Sequence, residues 1–485
     1  MRKKKLFYFL SFIVFLQACK NSIDKQSKFE TKPNIILINV DDLGWKDLGY
    51  MGSNYYETPN IDALAKEGMI FKNAYAGASN CAPSRASMLS GLNTPRHGVY
   101  TVSPSARGNV KLRKLIPTEN TDYLHDSIYT LPEMLKSAGY ITGSFGKWHV
   151  GEDPASQGID INIAGDGRGN PGRDGYFSPY NLKNIKDGPK GEYLTDRLTE
   201  EAISFIEKYQ DTSFFLYLPY YTVHTPLQGK ENLIKKFKDK TGAERQSNPE
   251  YAAMIFSMDE NIGKLLSKIK ESNLNDNTII IFTSDNGGVR AISEQFPLRA
   301  GKGSYYEGGI KIPLIIKWPG KIKPGTKNES RVSQLDFYPT LQQIAEPKKK
   351  KMILDGYDLN EMLRDNQVMK KDLFFHFPIY LEAYNPKRDD GRDPIFRTRP
   401  GSVVISEDWK LHHYYEDDKW ELYNLKKDPG ERNNLFYDNP QKANLLQKKL
   451  ANWLEITAAP IPNKNNPEYN PEVEKQQFEN IVKKH

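Results

Sequence analysis

The chain has 485 residues, 38% of them hydrophobic, 27% charged and 12% aromatic. That balance excludes a disordered protein and is enough for two or three domains with a large core. The formal charge is +7, but Arg2, Lys3, Lys4 and Lys5 carry four of those charges and leave +3 for the remainder, too little to argue for nucleic-acid binding.

The first residues have the layout of an export signal. MRKKK is basic, and LFYFLSFIVFL (6–16) is apolar but shorter than the roughly 20 residues needed to cross a bilayer. LQAC (16–19) resembles a bacterial lipobox, in which the cysteine is lipidated and becomes the mature N-terminus, although Gln17 departs from the usual small residue. Residues 1–18 are therefore expected to be a lipoprotein signal peptide, Cys19 the lipid-bearing residue, and 19–32 a polar tether. The alternative is a plain secretory signal cut near Ala18. The expected location is a bacterial membrane, facing the periplasm or the cell surface, or the periplasm or medium without the lipid.

The next elements alternate. NIILINV (34–40) is an apolar run bounded by Pro33 and Asp41 and predicts a buried parallel strand. TPNIDALAKEG (58–68) predicts a helix capped by Thr58 or Asn60, and a further helix is expected from Ser84 onward in SRASMLSG. TLPEMLKSAG (130–139), with Thr130 as cap and Pro132 in the first turn, and the amphipathic LTDRLTEEAISFIEKY (194–209) predict two more. Strands are expected at 213–220, 277–284 and 312–320. The alternation predicts an α/β core over 33–345. PKKKK (347–351) marks a surface boundary. Hairpin patterns within 401–434 then predict a smaller C-terminal α+β domain, 346–485, with an antiparallel sheet and an irregular Pro- and Asn-rich tail.

Two strand ends carry acidic pairs: Asp41-Asp42 after the first strand and Asp285-Asn286 after 277–284. In open parallel sheets, ligands collect beyond the carboxyl ends of strands. If these strands are neighbours, three carboxylates and an amide converge, and such a cluster calls for a hard cation such as calcium or magnesium. The plainer reading is a pair of turns or helix caps. Between them lies SNCAPSRASMLSG (79–91), which holds the only cysteine besides Cys19. With Cys19 acylated, Cys81 has no disulfide partner, and an oxidising compartment is a poor place for an idle thiol. Its neighbours Asn80, Pro83, Ser84 and Arg85 do not make an apolar pocket. A position at a helix start with Arg85 one turn on suits an anion, a metal, or both.

Cys81-Ala82-Pro83-Ser84-Arg85, followed by Leu89-Ser90-Gly91, resembles the signature of type I, formylglycine-dependent sulfatases. GYITGSFGKWHVG (139–151) resembles a second signature of that family, and the acidic strand ends and GKGSYYEGG (301–309) fit in the family's order over essentially the whole mature chain. The resemblance implies an alkaline-phosphatase/sulfatase-like core, with a large mixed sheet flanked by helices. It implies that a maturation enzyme oxidises Cys81 to formylglycine. It also implies one calcium ion, rather than magnesium, held by Asp41, Asp42, residue 81, Asp285 and Asn286. The hydrated aldehyde is then the nucleophile, with Arg85 stabilising it, and a covalent sulfated enzyme forms. His149 is implied as the base that expels sulfate from it, His224 as the acid for the leaving alcohol, and Lys147 and Lys302 as the grip on the sulfate oxygens.

Other candidates are weaker. His97 in TPRHG is expected to bridge loops without a catalytic role, and His412 and His413 are expected to be ordinary strand residues on opposite faces. His376, Arg397 and Arg399, placed in loops of the second domain, are offered as readers of a sugar carboxylate or second sulfate. APSRASMLSGLNTPRHGVYT and YFSPYNLKNIKDGPKGEYLTDRLTEEAI resemble polysaccharide-degrading sulfatases of marine and gut Bacteroidetes. The expected substrate is a sulfated glycan, with algal ulvan favoured and carrageenan or a glycosaminoglycan as the other choices. The competing readings are a phosphonate or phosphate ester hydrolase on the same fold and a catalytically silent glycan-binding lipoprotein with Cys81 unconverted.

Overall fold

The computed structural model describes residues 32–483 apart from 173, 244 and 348–351. The signal segment, Cys19, nearly all of the tether and most of the basic run at 347–351 lie outside the described residues.

A nine-stranded mixed sheet forms the core, in the order β4-β3-β5-β1-β6-β8-β2-β7, with β9 pairing β2. The strands are β1 (Asn34–Val40), β2 (Met69–Tyr75), β3 (Ile141–Phe145), β4 (Ile161–Ile163), β5 (Phe214–Pro219), β6 (Thr278–Ser284), β7 (Lys311–Ile312), β8 (Leu314–Lys317) and β9 (Thr326–Ser333). β4, β3, β5, β1 and β6 run parallel, and β8 turns the sheet antiparallel. β1 lies at the centre, and every one of its residues is buried. Ile36, Ile38 and Val40 pack on one face under the helices Leu194–Tyr209 and Pro249–Glu271. Ile35 and Leu37 pack on the other face with Ala82, Ala86 and Leu89 of the helix Cys81–Ser90. Burial on both faces is why β1 shows a continuous apolar run rather than alternation.

A second, four-stranded antiparallel sheet has the order β10-β13-β14-β15, comprising β10 (Leu373–Phe377), β13 (Gly401–Ser406), β14 (Trp409–Tyr414) and β15 (Lys419–Asn424). A two-stranded ribbon, β11 (Leu381–Glu382) with β12 (Phe396–Thr398), lies between β10 and β13 in the chain. One face of the second sheet packs Phe375, Phe377, Val403 and Ile405 against Tyr305 and Ile310 of the core. Its other face packs Val404, Leu411 and Leu422 against Leu446, Leu450 and Trp453 of the helix Pro440–Ile456.

Several expectations need correction. The helix expected from Ser84 begins three residues earlier, at Cys81, with Asn80 as its extended N-cap residue. The run 312–320 divides at Pro313, which has no N–H for the ladder. The tail is not wholly irregular, because Pro471–Lys483 is a helix whose first turn accepts proline. His376 and Arg397 lie in strands β10 and β12 rather than in loops.

The two sheets are joined through buried charge. Lys410 Nζ on β14 lies 3.0 Å from Glu307 Oε1 and 2.9 Å from Glu431 Oε1, and the Glu307 N–H donates to Glu431 Oε2 at 2.6 Å. Glu307 follows the 301–306 loop directly, so this cluster ties that loop to the second sheet. Lys410→Met leaves two buried carboxylates facing each other and is expected to cost about 3–5 kcal/mol. Differential scanning calorimetry should show a clearly lowered unfolding temperature, partly recovered by adding Glu431→Gln. An unchanged temperature would mean that the cluster does not join the sheets.

Candidate active site

β1 and β6 are neighbours, and their register sets Val40 opposite Ser284. The next residues on each strand, Asp41 and Asp285, therefore emerge side by side, and the Asp285 N–H donates to the Val40 carbonyl at 3.0 Å. Asp42 has φ 58°, which turns its carboxylate back toward the first pair, and its N–H donates to Asp285 Oδ1 at 3.1 Å. Asn286 Nδ2 donates to Asp42 Oδ1 at 2.8 Å. Cys81, the first residue of its helix, enters from the side. Its Sγ lies 3.4 Å from Asp41 Oδ1 and 3.8 Å from Asp42 Oδ1. Ligand atoms of Asp41, Asp42, Cys81 and Asp285 all fall within 4.8 Å of one another.

Three cations face these three carboxylates, and none of the six residues is more than 6% exposed. Arg85 donates from Nε to Asp285 Oδ2 at 3.0 Å and from Nη1 to the Lys147 carbonyl at 2.7 Å. Lys147 Nζ is 2.6 Å from Asp41 Oδ2, and Lys302 Nζ is 2.8 Å from Asp42 Oδ2. Lys147 is fixed by its backbone: its N–H donates to the Pro219 carbonyl at 2.8 Å. Gly146, at φ +127°, lies so close beneath that strand that a Cβ would stand 2.2 Å from the Pro219 oxygen. His149 has φ 64° and a buried Nδ1 without a hydrogen-bond partner. His224 places Nε2 3.7 Å from Asp42 Oδ2, and its Nδ1 lies 2.6 Å from the Thr225 carbonyl, which fixes the proton on Nδ1 in the neutral ring.

Burial and charge set the protonation of these groups. Burial pushes Asp41 up to about 7, with Lys147 opposing it. Burial also penalises ionised Asp42, but Lys302 and His224 outweigh it and hold that carboxyl well below the usual range. At Asp285 burial is likewise outweighed, chiefly by Arg85. Burial and Asp41 drive the Cys81 thiol up, so it stays protonated. Burial, with Lys302 next, takes His224 down to about 3; burial and Lys147 put His149 well below its ordinary value.

The donor set fits a hard divalent cation. Asp41, Asp42 and Asp285 offer carboxylate oxygens, and Asn286 Oδ1 is buried with no partner of its own. The odd member is sulfur, a soft donor among hard oxygens, and an oxygen on the same carbon suits the position better. The catalytic and metal-ligand candidates thus meet at one place, with His149 and His224 flanking the cluster.

The weaker candidates separate. His97 Nε2 pairs with Ser87 Oγ at 3.0 Å, so it joins the helices Thr94–His97 and Cys81–Ser90 rather than two loops. His412 is buried against Glu431, and His413 stacks on Trp420 with ring centroids 3.7 Å apart, as strand residues do. Arg399 is consumed by Asp393, Glu416 and Glu474, and the two His376 ring nitrogens are engaged by Ser402 and the Pro460 carbonyl. Neither is free to read a substrate. Sequence reasoning missed Tyr176, whose hydroxyl lies 2.6 Å from the Tyr221 carbonyl and 2.8 Å from the His224 carbonyl and steadies the His224 turn. It also missed Gln334, which receives Ser84 Oγ at 2.6 Å and donates to the Ser284 carbonyl at 2.9 Å. Neither had a local sequence signal.

The family profile named Sulfatase matches residues 33–346, well over half of the chain. The chain belongs to the sulfatase family. Residues 301–459 also match the profile described as N-sulphoglucosamine sulphohydrolase, C-terminal. Among its relatives is a sulfatase of Formosa agariphila, 34% identical over 88% of this chain and 90% of that protein. The N-acetylgalactosamine-6-sulfatase of Rattus norvegicus is 31% identical over 86% of this chain and 84% of that one. The crystal structure of Ps i-CgsB in complex with k-i-k-neocarrahexaose superimposes with a TM-score of 0.72 at 28% identity, covering 93% of this chain and 98% of the other. This sulfatase is accordingly a sulfuric ester hydrolase.

Arg85 is the cation that makes the acidic cluster tolerable. Arg85→Met is expected to lower stability by about 3–5 kcal/mol, because Asp285 is left buried and unpaired. Arg85→Lys should recover little, since an ammonium cannot reach Asp285 and the Lys147 carbonyl in one planar fork. Urea denaturation checks both, and a methionine variant as stable as the parent would contradict the pairing.

Proposed function

We propose that this sulfatase removes sulfate esters from a sulfated polysaccharide or oligosaccharide, with residue 81 acting as formylglycine and a calcium ion bound by Asp41, Asp42, Asp285 and Asn286. The observation that carries the reading is the buried cluster in which Cys81, Arg85, Lys147 and Lys302 converge on three carboxylates. With all three carboxylates ionised, as cation binding favours, they balance Arg85, Lys147 and Lys302, so a divalent cation leaves an excess of two positive charges. That excess suits an anion.

The ion supplies Lewis acidity and charge neutralisation at residue 81. The matured side chain supplies two hydroxyls on one carbon, one to attack sulfur and one whose deprotonation later expels sulfate. The remaining work falls to the chain's own groups. Lys147 and Lys302, which contact the outer oxygens of Asp41 and Asp42, turn toward the sulfate oxygens as point charges. Arg85 keeps the attacking oxygen's surroundings positive. His149 is held neutral by burial and the nearby cations, the state a base requires, and its partnerless Nδ1 is available to take a proton. His224 exchanges its proton at Nε2, because Nδ1 is committed to Thr225. An anionic ester beside it favours the protonated ring that donates to the leaving alcohol.

Two of the relatives, by name, act on N-acetylgalactosamine or hold a neocarrahexaose, which supports a galactose-containing glycan. Ulvan, the expectation from sequence, belongs in the same substrate panel. The competing phosphonate or phosphate ester hydrolase is separated by comparing aryl sulfate, aryl phosphate and phosphonate ester at equal concentration; preference for phosphorus would reverse the ranking. Mass spectrometry of the peptide containing residue 81 should show a loss of about 18 Da against cysteine, as replacing the thiol by an aldehyde oxygen requires. Cys81→Ala should reduce sulfate release at least about a thousandfold, the scale of removing a covalent nucleophile. An unmodified mass with no sulfate release would favour the silent glycan-binding reading, and undiminished release by the alanine variant would remove residue 81 as the nucleophile.

We also place the protein on a bacterial membrane through lipid on Cys19. Cys19→Ala should move it from the membrane to the soluble fraction after cell lysis and centrifugation. An unchanged membrane fraction would remove the anchor.

A further inference from the structure

Lys302 is held from behind by Arg397. Gly303, at φ +85°, follows it, and a Cβ there would stand 2.6 Å from Arg397 Nη1. Through that close approach Arg397 donates from Nη1 to the Lys302 carbonyl at 3.0 Å and from Nε to the Glu382 carbonyl at 2.9 Å. Arg397 is 4% exposed, and the ring of Tyr384 covers its guanidinium with 3.3 Å between ring centroid and guanidinium carbon.

Tyr384 is the second residue of the 383–395 loop between β11 and β12, and that loop is fastened at several points. The N–H groups of Tyr384 and Asn385 donate to Asp389 Oδ2 at 2.6 and 3.0 Å. Arg299 donates to the carbonyls of Asp390 and Gly391 at 3.2 and 2.9 Å, and Arg432 grips the Asp390 carboxylate at 2.7 and 2.6 Å. Despite this anchoring Tyr384 stays 51% exposed. A single exposed aromatic needs no explanation in general. This one is rigid, lies against the arginine that binds the Lys302 carbonyl, and has one ring face committed to that cation while half of the residue meets solvent. Sugar rings present flat C–H faces that pack on aromatic rings, and binding sites combine such surfaces with a few placed polar groups.

We propose that Tyr384 is the platform on which the sugar ring bearing the scissile sulfate stacks, with Arg397 as the positioning residue that locks this platform to the Lys302 loop. The proposal rests on the sulfated-glycan reading and adds the residue that recognises the sugar rather than the sulfate.

The test uses the full mature chain with calcium and with Cys81 left unconverted, so that binding is read without turnover. Titration calorimetry with a neocarrahexaose and with a chondroitin 6-sulfate tetrasaccharide gives the affinity, and competition by inorganic sulfate reports the sulfate site alone. Tyr384→Ala should weaken the preferred oligosaccharide about tenfold, while inorganic sulfate weakens far less. Tyr384→Phe and Tyr384→Trp, which keep an aromatic face, should stay within about threefold of the parent. Equal weakening of oligosaccharide and inorganic sulfate would overturn the proposal, because Tyr384 would then only support Lys302. Unaltered binding by Tyr384→Ala, or no binding of either oligosaccharide by the parent, would overturn it too. A matured protein that binds these glycans yet frees no sulfate would defeat glycan desulfation while leaving Tyr384 judged on binding.

Discussion

Three carboxylates buried in one cluster are the constraint around which this protein is built. Asp41, Asp42 and Asp285 are each no more than 3% exposed. Desolvation alone would protonate or expel them. The fold answers with an equal number of buried cations, each held by a different part of the chain. Arg85 comes from the helix that begins at Cys81, Lys147 from the turn after β3, and Lys302 from the loop before Glu307. No one of these segments could move without leaving an unpaired charge in the interior.

That electrostatic arrangement depends on backbone placement. The in-step register of β1 and β6 delivers two carboxylates to the same level. Left-handed backbone at Asp42 and His149 folds those side chains back toward the site. Glycine beneath Pro219 lets the Lys147 turn approach β5. The second sheet contributes at a distance: Lys410, Glu307 and Glu431 fix the end of the loop that carries Lys302, and Arg397 fixes its beginning. The C-terminal unit is thereby part of the site's support, and its strand β12 supplies Arg397.

Much of this was legible in the sequence. The strands at 34–40 and 278–284 stand out because burial on both faces leaves an unbroken aliphatic run, and the polar pairs that follow them mark where the sheet ends. Cys81 and Arg85 lie four residues apart on one helix, so a local motif holds their relationship. What the sequence hid is long-range. Tyr176 reaches a turn 45 residues away and Gln334 a strand end 50 residues away, with no motif to announce either. Arg397 and Arg399 look alike in the sequence, but their surroundings differ. One finds carboxylates on three sides, and the other finds a tyrosine ring and two carbonyls. The helix at 471–483 was obscured by the proline that opens it.

The central claim is that a charge-balanced cluster becomes anion-binding only once a divalent cation joins it. The most direct measurement is calcium affinity by titration calorimetry, with and without a saturating sulfated oligosaccharide, on the chain whose residue 81 is unconverted. Reciprocal linkage predicts that calcium binds more tightly when the oligosaccharide is present. Calcium that fails to bind, or that binds equally in both conditions, would contradict the account.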